Sequence, residues 1–375
     1  MRTNRMRAAA TFAVAALSVG VVACGGDDGG GGSSTKTGGD AAGGGGKGGT
    51  IALLLPETKT TRYEEQDKPR FEAKVQALCP DCKIIYSNAN QDAARQQQQA
   101  EAAITNGAKV LVLDAVDAKA ATATVNRAKQ SNIPVIAYDR LISGAPISYY
   151  VSFDNVRVGK IQAQALLDKL GDAAGKEIVM LNGSPTDPSS GDYKTGAHSV
   201  LDSSGVKIAR EYDTPDWSPD KAQQETEQAI TALGKDKLAG VYSANDGMIG
   251  GAIAAMKSAG IDPKTIPTTG QDSEVAAIQR ILTGEQYMTI YLAIKQQAEA
   301  AAELAVNLVQ GKTPSASLVN NAVDNGTGKI PTVLLDPTPV TKDNIKDTII
   351  ADGFHSAADI CTGEFASACT EAGIQ

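Results

Sequence analysis

The sequence predicts an α/β protein made of two doubly wound parallel-sheet lobes. Short continuous apolar runs alternate with helical stretches of roughly 12–16 residues, which is the pattern of βαβ units with a sheet covered on both faces. The alternation runs through the chain twice. The ~325 residues that follow a glycine-rich N-terminal segment exceed one small core and suit two lobes of about 150 residues each.

In the first series, Ile51–Leu55 reads as a buried strand and Tyr63–Leu78 as a helix. Lys83–Tyr86 is a strand, and Asp92–Asn106 is an Ala/Gln-rich helix ended by Gly107. Val110–Leu113 is a strand closing on Asp114, Asp117–Gln130 a helix, and Pro134–Tyr138 a strand closing on Asp139-Arg140. A further β-rich run, Tyr149–Val151, leads through Asp154-Asn155 into a second series.

That series has helices at Val156–Leu170, Gly191–Ser203, Pro219–Leu233, Asp246–Ala259 and Ser273–Leu282. Its strands fall at Glu177–Leu181, Val206–Ala209, Gly240–Ser243, Ile266–Thr269 and Met288–Tyr291. A long helix then runs to Gln310, and Pro331–Asp352 reads as a last strand and a short helix.

The N-terminus has a different character. Arg2, Arg5 and Arg7 precede an apolar run from Ala8 to Val22, too short and alanine-rich for a membrane span. It ends in Val21-Val22-Ala23-Cys24, which resembles the lipobox of bacterial lipoproteins, with Cys24 as the lipidated first residue. An ordinary secretory signal or an anchor helix is the alternative. Gly25–Gly49 is almost all Gly, Ser, Asp, Thr and Lys, too polar to build a core. As a coil it would span roughly 25–30 Å, the reach of a tether between membrane and body. Residues 1–23 are thus expected to be a signal peptide and 24–49 a lipidated tether, placing the body outside the cytoplasm, held only by its lipid.

The net charge is −8, more acidic by three once the arginines of the signal are removed, and no basic run argues for nucleic acid. With Cys24 assigned to lipid, the other cysteines form two local pairs, Cys79/Cys82 and Cys361/Cys369, which export favours as disulfides over four free thiols.

Several chemistries are excluded. Gly311-Lys312-Thr313 imitates the end of a phosphate loop, but Val306 stands where the loop needs glycine and Pro314 forbids the helix. The chain has two histidines, His198 and His355, far apart and without helix-spaced carboxylates, so neither a zinc site nor any other metal is expected. Cys79-Pro80-Asp81-Cys82 follows a helix and precedes a strand, whereas a redox pair opens a helix; it reads as a structural clip.

Polar groups at predicted strand ends are more informative, because sheet crevices open there. Asp139-Arg140, Asp187 after Gly183-Ser184-Pro185, Asn245-Asp246, and Asp272 after Gly270-Gln271 all fall at such ends. Each alone could be a helix cap. Together they outline a polar cleft of acids, amide and guanidinium suited to a neutral polyhydroxy ligand. Trp217, the sole tryptophan, precedes a helix start and offers a flat face for a sugar ring, with Tyr63, beside Arg62, as the opposite wall.

These phrases resemble the periplasmic sugar-binding proteins of ABC transporters, in the ribose/xylose/galactose group, nearest the xylose-binding and multiple-monosaccharide-binding members. The similarity runs from Thr50 to His355. It rests on Ala137-Tyr-Asp-Arg-Leu-Ile142, Val151-Ser-Phe-Asp-Asn155, Gly183-Ser-Pro185 with Asp187, Asn245-Asp246, Gly270-Gln-Asp272, and Asn344–Asp347 through Asp352-Gly-Phe-His355.

The resemblance implies a type I periplasmic binding protein whose lobes close on a three-segment hinge, crossing near Phe153–Val156, Tyr291–Ala293 and Asn325–Ile330. Phe153, Asp154, Asn155 and Leu292 become hinge residues. It implies lobes of 50–153 with 293–327 and of 154–292 with 328–355, leaving 356–375 as a tail that carries a cysteine pair. Arg62, Tyr63, Asp139 and Arg140 from one lobe, and Asp187, Ser189, Trp217, Asn245 and Asp272 from the other, are the implied ligand contacts.

The chain departs from the family at two places: Leu292 stands where a cleft lysine is common, and Ser189 replaces an amide. The resemblance therefore implies a monosaccharide, xylose-like pentose or related hexose, without fixing which. It implies no catalysis and no cofactor, a monomer, and permease subunits as partners. A surface sugar hydrolase using paired carboxylates and a sugar sensor partner of a membrane receptor are the alternatives. A sugar-responsive transcription regulator would need DNA-binding helices where the tether lies.

Overall fold

The computed structural model describes residues 48–374. The expected signal peptide, Cys24 and nearly all of the expected tether lie outside the described residues. The first lobe is built from β1 (Thr50–Leu55), α1 (Lys68–Leu78), β2 (Lys83–Asn88), α2 (Ala93–Thr105), β3 (Ala108–Leu113), α3 (Ala121–Gln130), β4 (Val135–Tyr138) and β5 (Tyr149–Phe153). The second begins with α4 (Asn155–Leu170), β6 (Glu177–Asn182), α5 (Pro188–Leu201), β7 (Lys207–Asp213) and α6 (Pro219–Leu233). It continues with β8 (Leu238–Ser243), α7 (Asp246–Ser258), α8 (Val275–Thr283) and β9 (Thr289–Tyr291). The chain then returns to the first lobe through α9 (Ile294–Gln310), β10 (Asn321–Asp324) and β11 (Lys329–Leu335). It ends on the second with β12 (Thr338–Val340), α10 (Ala357–Ile360) and α11 (Ala366–Glu371).

The first sheet has the order β10-β11-β5-β4-β3-β1-β2, parallel except for the β10–β11 pair. The second has the order β7-β6-β8, also parallel. Period-2 alternation explains why the strands are apolar throughout. Ile51, Leu53 and Leu55 join one buried cluster with α1 and α9, while Ala52 and Leu54 join another with α2 and α3. In both sheets the first strand lies between the second and the third, so each reverses winding there, and ligand crevices form at such switch points.

Three expectations need correction. Residues 328–335 belong to the first lobe, because β11 pairs with β5, Leu335 opposite Phe153. The third crossing therefore lies between Leu335 and Thr338, not at Asn325–Ile330. There the Asp154 amide donates to the Leu335 carbonyl at 3.0 Å, and Thr338 pairs with Tyr291. All three crossings thus lie side by side. Residues 356–375 are no separate tail: Ile360, Cys369 and Ile374 are buried in the second lobe's core, and Cys361–Cys369 and Cys79–Cys82 are both bonded. The strand expected at Ile266–Thr269 is reduced to one parallel bridge, Val241 to Thr268, since Pro267 has no amide to donate.

Helices α4 and α5 meet backbone to backbone at Gly159 and Gly196. A Cβ on Gly159 would stand 1.9 Å from the Tyr193 carbonyl oxygen, and one on Gly196 2.0 Å from that of Val156. Gly196→Ala is therefore expected to destabilise the fold by about 1–3 kcal/mol, read from urea unfolding midpoints.

Candidate ligand-binding site

The carboxyl ends of both sheets face one another across a small cavity lined by Thr60, Arg62, Tyr63, Asp139, Arg140, Asp187, Tyr193, Trp217, Asn245, Gln271 and Asp272. The lining residues are all buried.

Arg62 is positioned by a π-helical turn, Tyr63–Asp67, that precedes α1. The wider turn brings Asp67 under the guanidinium: Nε and Nη2 donate to its two oxygens at 3.0 and 2.9 Å. Gln297 of α9 accepts from Arg62 Nη2 at 2.8 Å and donates to Asp139 Oδ1 at 3.0 Å, joining the two site loops. Burial opposes the charge of Arg62, but Asp139 and Asp67 outweigh it and hold the guanidinium firmly protonated.

Arg140 sits under the cavity. Nη1 donates to the Ala115 carbonyl at 3.0 Å and Nη2 to Tyr63 Oη at 3.3 Å. Its Nε lies 2.8 Å from Asp187 Oδ2, so the pair bridges the two lobes. Asp187 caps α5 by accepting from the Ser189 amide at 2.8 Å, and it accepts from Trp217 Nε1 at 3.2 Å. The indole lies over Gly183, where any Cβ would meet the ring at 2.0 Å, which accounts for the glycine of the Gly-Ser-Pro phrase. Asn245 caps α7 through Oδ1, bonded to the Met248 amide at 3.0 Å, leaving its amide nitrogen for the cavity.

Backbone strain gathers at these loops. Asp139 (φ 63), Asp216 (φ 60), Trp217 (φ 53), Asp272 (φ 96) and Ser273 (φ 53) all adopt left-handed conformations that non-glycine residues rarely hold. Each costs on the order of 1–3 kcal/mol and persists only where surrounding bonds over-determine it, a signature of ligand clamps. For Asp139 those bonds are visible: its carbonyl accepts from Ser152 Oγ at 2.7 Å and Tyr150 Oη at 3.2 Å.

The structure brings eight of the nine expected contacts together. Ser189 is the exception. It lies behind Asp187 and accepts from Asn155 Nδ2 at 3.2 Å, so it supports the wall and does not line it. Leu292 is buried in the second lobe's core, and Phe153, Asp154 and Asn155 lie where the chain leaves β5 for α4. Sequence reasoning missed Thr60, Tyr193 and Gln271 in the lining, and Asp67, Asp114 and Gln297 behind it. Gln271 stood inside a phrase already singled out. The others carry no local signal.

Contacts between the lobes flank the cavity. Thr186 Oγ1 donates to the Val116 carbonyl at 3.1 Å, Gln91 Nε2 to that of Asp216 at 3.3 Å, and Gln66 Nε2 to that of Phe354 at 2.9 Å. The cleft is closed.

Acids outnumber bases in and around the cleft. Burial pushes the Asp272 carboxyl up to about 7 against the pull of Arg62, and burial with Asp246 pushes Glu274 up to about 8. Both values lie above the ordinary carboxylate range, so the folded chain binds these protons more tightly than the unfolded chain. The associated stability is complete below the ordinary carboxylate range, is lost progressively as pH rises above it, and is gone once pH passes 7 for Asp272 and 8 for Glu274. His355, held low by burial, acts oppositely only below its ordinary 6.5. Above the range of His355, the ligand-free melting temperature is expected to fall from about pH 6.5 to about 8 and to level off beyond, and Glu274→Gln should flatten that slope in a melting series.

Two α/β lobes with facing strand ends, three adjacent crossings and a polar cavity between them define a two-lobed binding protein. The chain belongs to the periplasmic binding protein family, whose domain pattern matches residues 51–313. It is 35% identical over 314 residues to the D-xylose-binding periplasmic protein of Escherichia coli K12, covering 83% of this chain and 92% of that one. It is 32% identical over 326 residues to the multiple sugar-binding periplasmic receptor ChvE of Rhizobium radiobacter, covering 82% and 91%. Among solved structures, an ABC transporter solute-binding protein of Clostridium phytofermentans with bound β-D-glucose superposes with a TM-score of 0.74 at 25% identity, covering 83% of this chain and 99% of that one. A carbohydrate transporter solute-binding protein of Chloroflexus aurantiacus, in complex with D-glucose, gives 0.74 at 26% identity, covering 82% and 97%.

Proposed function

We propose that this chain is the solute-binding component of an ABC importer, capturing a neutral monosaccharide between its lobes and delivering it to a permease. The observation that carries this reading is the closed polar cavity at the facing strand ends, walled by Trp217 and floored by Arg140. The names of the relatives and the glucose in two structural neighbours support a pentose or hexose.

Arg62, Arg140 and the Asn245 amide donate to hydroxyl or ring oxygens, and Asp139, Asp187 and Asp272 accept from hydroxyls. Charge-assisted bonds of this kind are about twice as strong as neutral ones. Trp217 and Tyr63 cover the apolar faces of the ring. Binding favours the closed state because only there do both lobes touch the sugar. Phe153–Asn155, Leu292 and the Leu335–Thr338 crossing form the hinge. A lipid on Cys24 holds the chain at the outer face of the membrane, and it works as a monomer without cofactor or metal. No hydrolysis is proposed, since Asp139 and Asp187 are each tied to protein partners.

The test is a thermal-shift panel of pentoses, hexoses and myo-inositol, with a hexuronate as charged control. One or more neutral sugars should raise the melting temperature by several degrees, as ligand at ~100 times Kd adds about 2.7 kcal/mol. The hexuronate should not, because it adds a carboxylate to a cleft already rich in them. A panel without any response sinks the carbohydrate reading.

A further inference from the structure

Asp114 is the least explained group near the cleft. It follows β3, its amide bonded to the Leu54 carbonyl at 3.0 Å and its carbonyl to Gln96 Nε2 at 2.7 Å. The side chain is fully buried, and neither carboxylate oxygen has a hydrogen-bond partner. Its one close charge is Arg140 Nε, 3.4 Å from Oδ1. A buried carboxylate left in this way costs the fold free energy that a neutral residue would not.

The topology shows what the cost serves. Asp114 and Arg140 end neighbouring strands of one sheet, where Leu113 pairs with Ala137, so they stay together whatever the lobes do. Asp187, the other carboxylate at Arg140 Nε, belongs to the second lobe and leaves when the cleft opens. In the closed form the guanidinium is shared between two carboxylates that also repel one another; burial first, and then the neighbouring aspartates, push the Asp114 carboxyl well above the ordinary carboxylate range against the pull of Arg140.

We propose that Asp114 is a positioning residue for Arg140: it holds the guanidinium in its ligand-ready pose when the lobes part, and it opposes closure of the empty cleft by competing with Asp187. Without its charge, the open form loses the one carboxylate that holds Arg140, while the closed form keeps Asp187 and sheds a repulsion. Both effects favour closing. The empty protein should then spend more time shut, and ligand should enter more slowly.

The test uses Asp114→Asn and Asp114→Ser in the whole chain, with small-angle scattering of the sugar-free protein as the first readout. Both variants should fold, since they remove a buried carboxyl that makes no hydrogen bond, and both should scatter as more compact particles than the parent. In an Asp187→Asn background, where the closed form has no second carboxylate to take Arg140 or to repel Asp114, the same substitutions should cause no compaction. Compaction regardless of Asp187, no compaction at all, or failure of both variants to fold would each overturn the proposal.

The second readout rests on the proposed sugar function. Stopped-flow Trp217 fluorescence with a responding sugar, or D-xylose by default, should show association slowed by roughly fivefold or more in Asp114→Asn. An unchanged association rate would count against the positioning role. If no sugar binds even the parent, the sugar reading fails while the scattering result still decides the role of Asp114.

Discussion

Arg140→Ala is expected to abolish tight ligand binding. The substitution takes away the donors that face the cavity, and it also leaves Asp114 and Asp187 buried without their shared cation. Breaking a buried charge pair by removing one partner typically costs about 3–5 kcal/mol. If that cost falls on the closed form, affinity drops by more than about 100-fold. Arg140→Lys should recover little, because a point charge cannot reach Ala115, Tyr63 and Asp187 at once as the planar fork does. Calorimetric titration of parent and variants checks this, and a loss under tenfold would remove Arg140 from the ligand-holding role.

The second large effect is expected at Trp217. Its ring is buried, packs edge-on against Tyr193 with centroids 6.3 Å apart, and is fixed by its own bond to Asp187. Trp217→Ala removes a cavity wall and leaves Asp187 Oδ2 with Arg140 alone, so a cost of about 3–5 kcal/mol is expected in the closed form. Trp217→Phe keeps an aromatic face but loses the indole donor and should cost about 1–3 kcal/mol, the price of one unsatisfied buried acceptor. Sugar affinities of the two variants separate wall from tether: equal losses would mean that the Nε1 bond to Asp187, not the ring face, carries the effect.

Much of this site was legible because its residues end apolar runs. Asp139-Arg140 after β4, Asp187 after β6, Asn245 after β8 and Asp272 after the Thr268 bridge are all announced by the strands before them. The hidden partners have no such announcement. Asp67 lies five residues after Arg62, which on an ordinary α-helix would face away; only the π-helical turn brings them together. Gln297 acts from α9, more than two hundred residues downstream of Arg62, and no sequence pattern links them. The third crossing was misplaced because β10 is short and largely exposed, and β11 carries Pro331, so the pair does not read as strands added to the first sheet. Ser189 was assigned to the cavity from the resemblance alone, whereas the cap at Asp187 turns it toward Asn155.

The central claim is that a neutral monosaccharide sits against Trp217 between the two lobes. Because the chain contains one tryptophan, its emission reports on that cavity. Titration of the folded protein with the sugar that most raises its melting temperature should change this emission saturably, with a single midpoint that Arg140→Ala shifts to much higher concentration. A sugar that stabilises the protein without altering Trp217 emission, or with the same midpoint in Arg140→Ala, would place its site elsewhere and contradict the account.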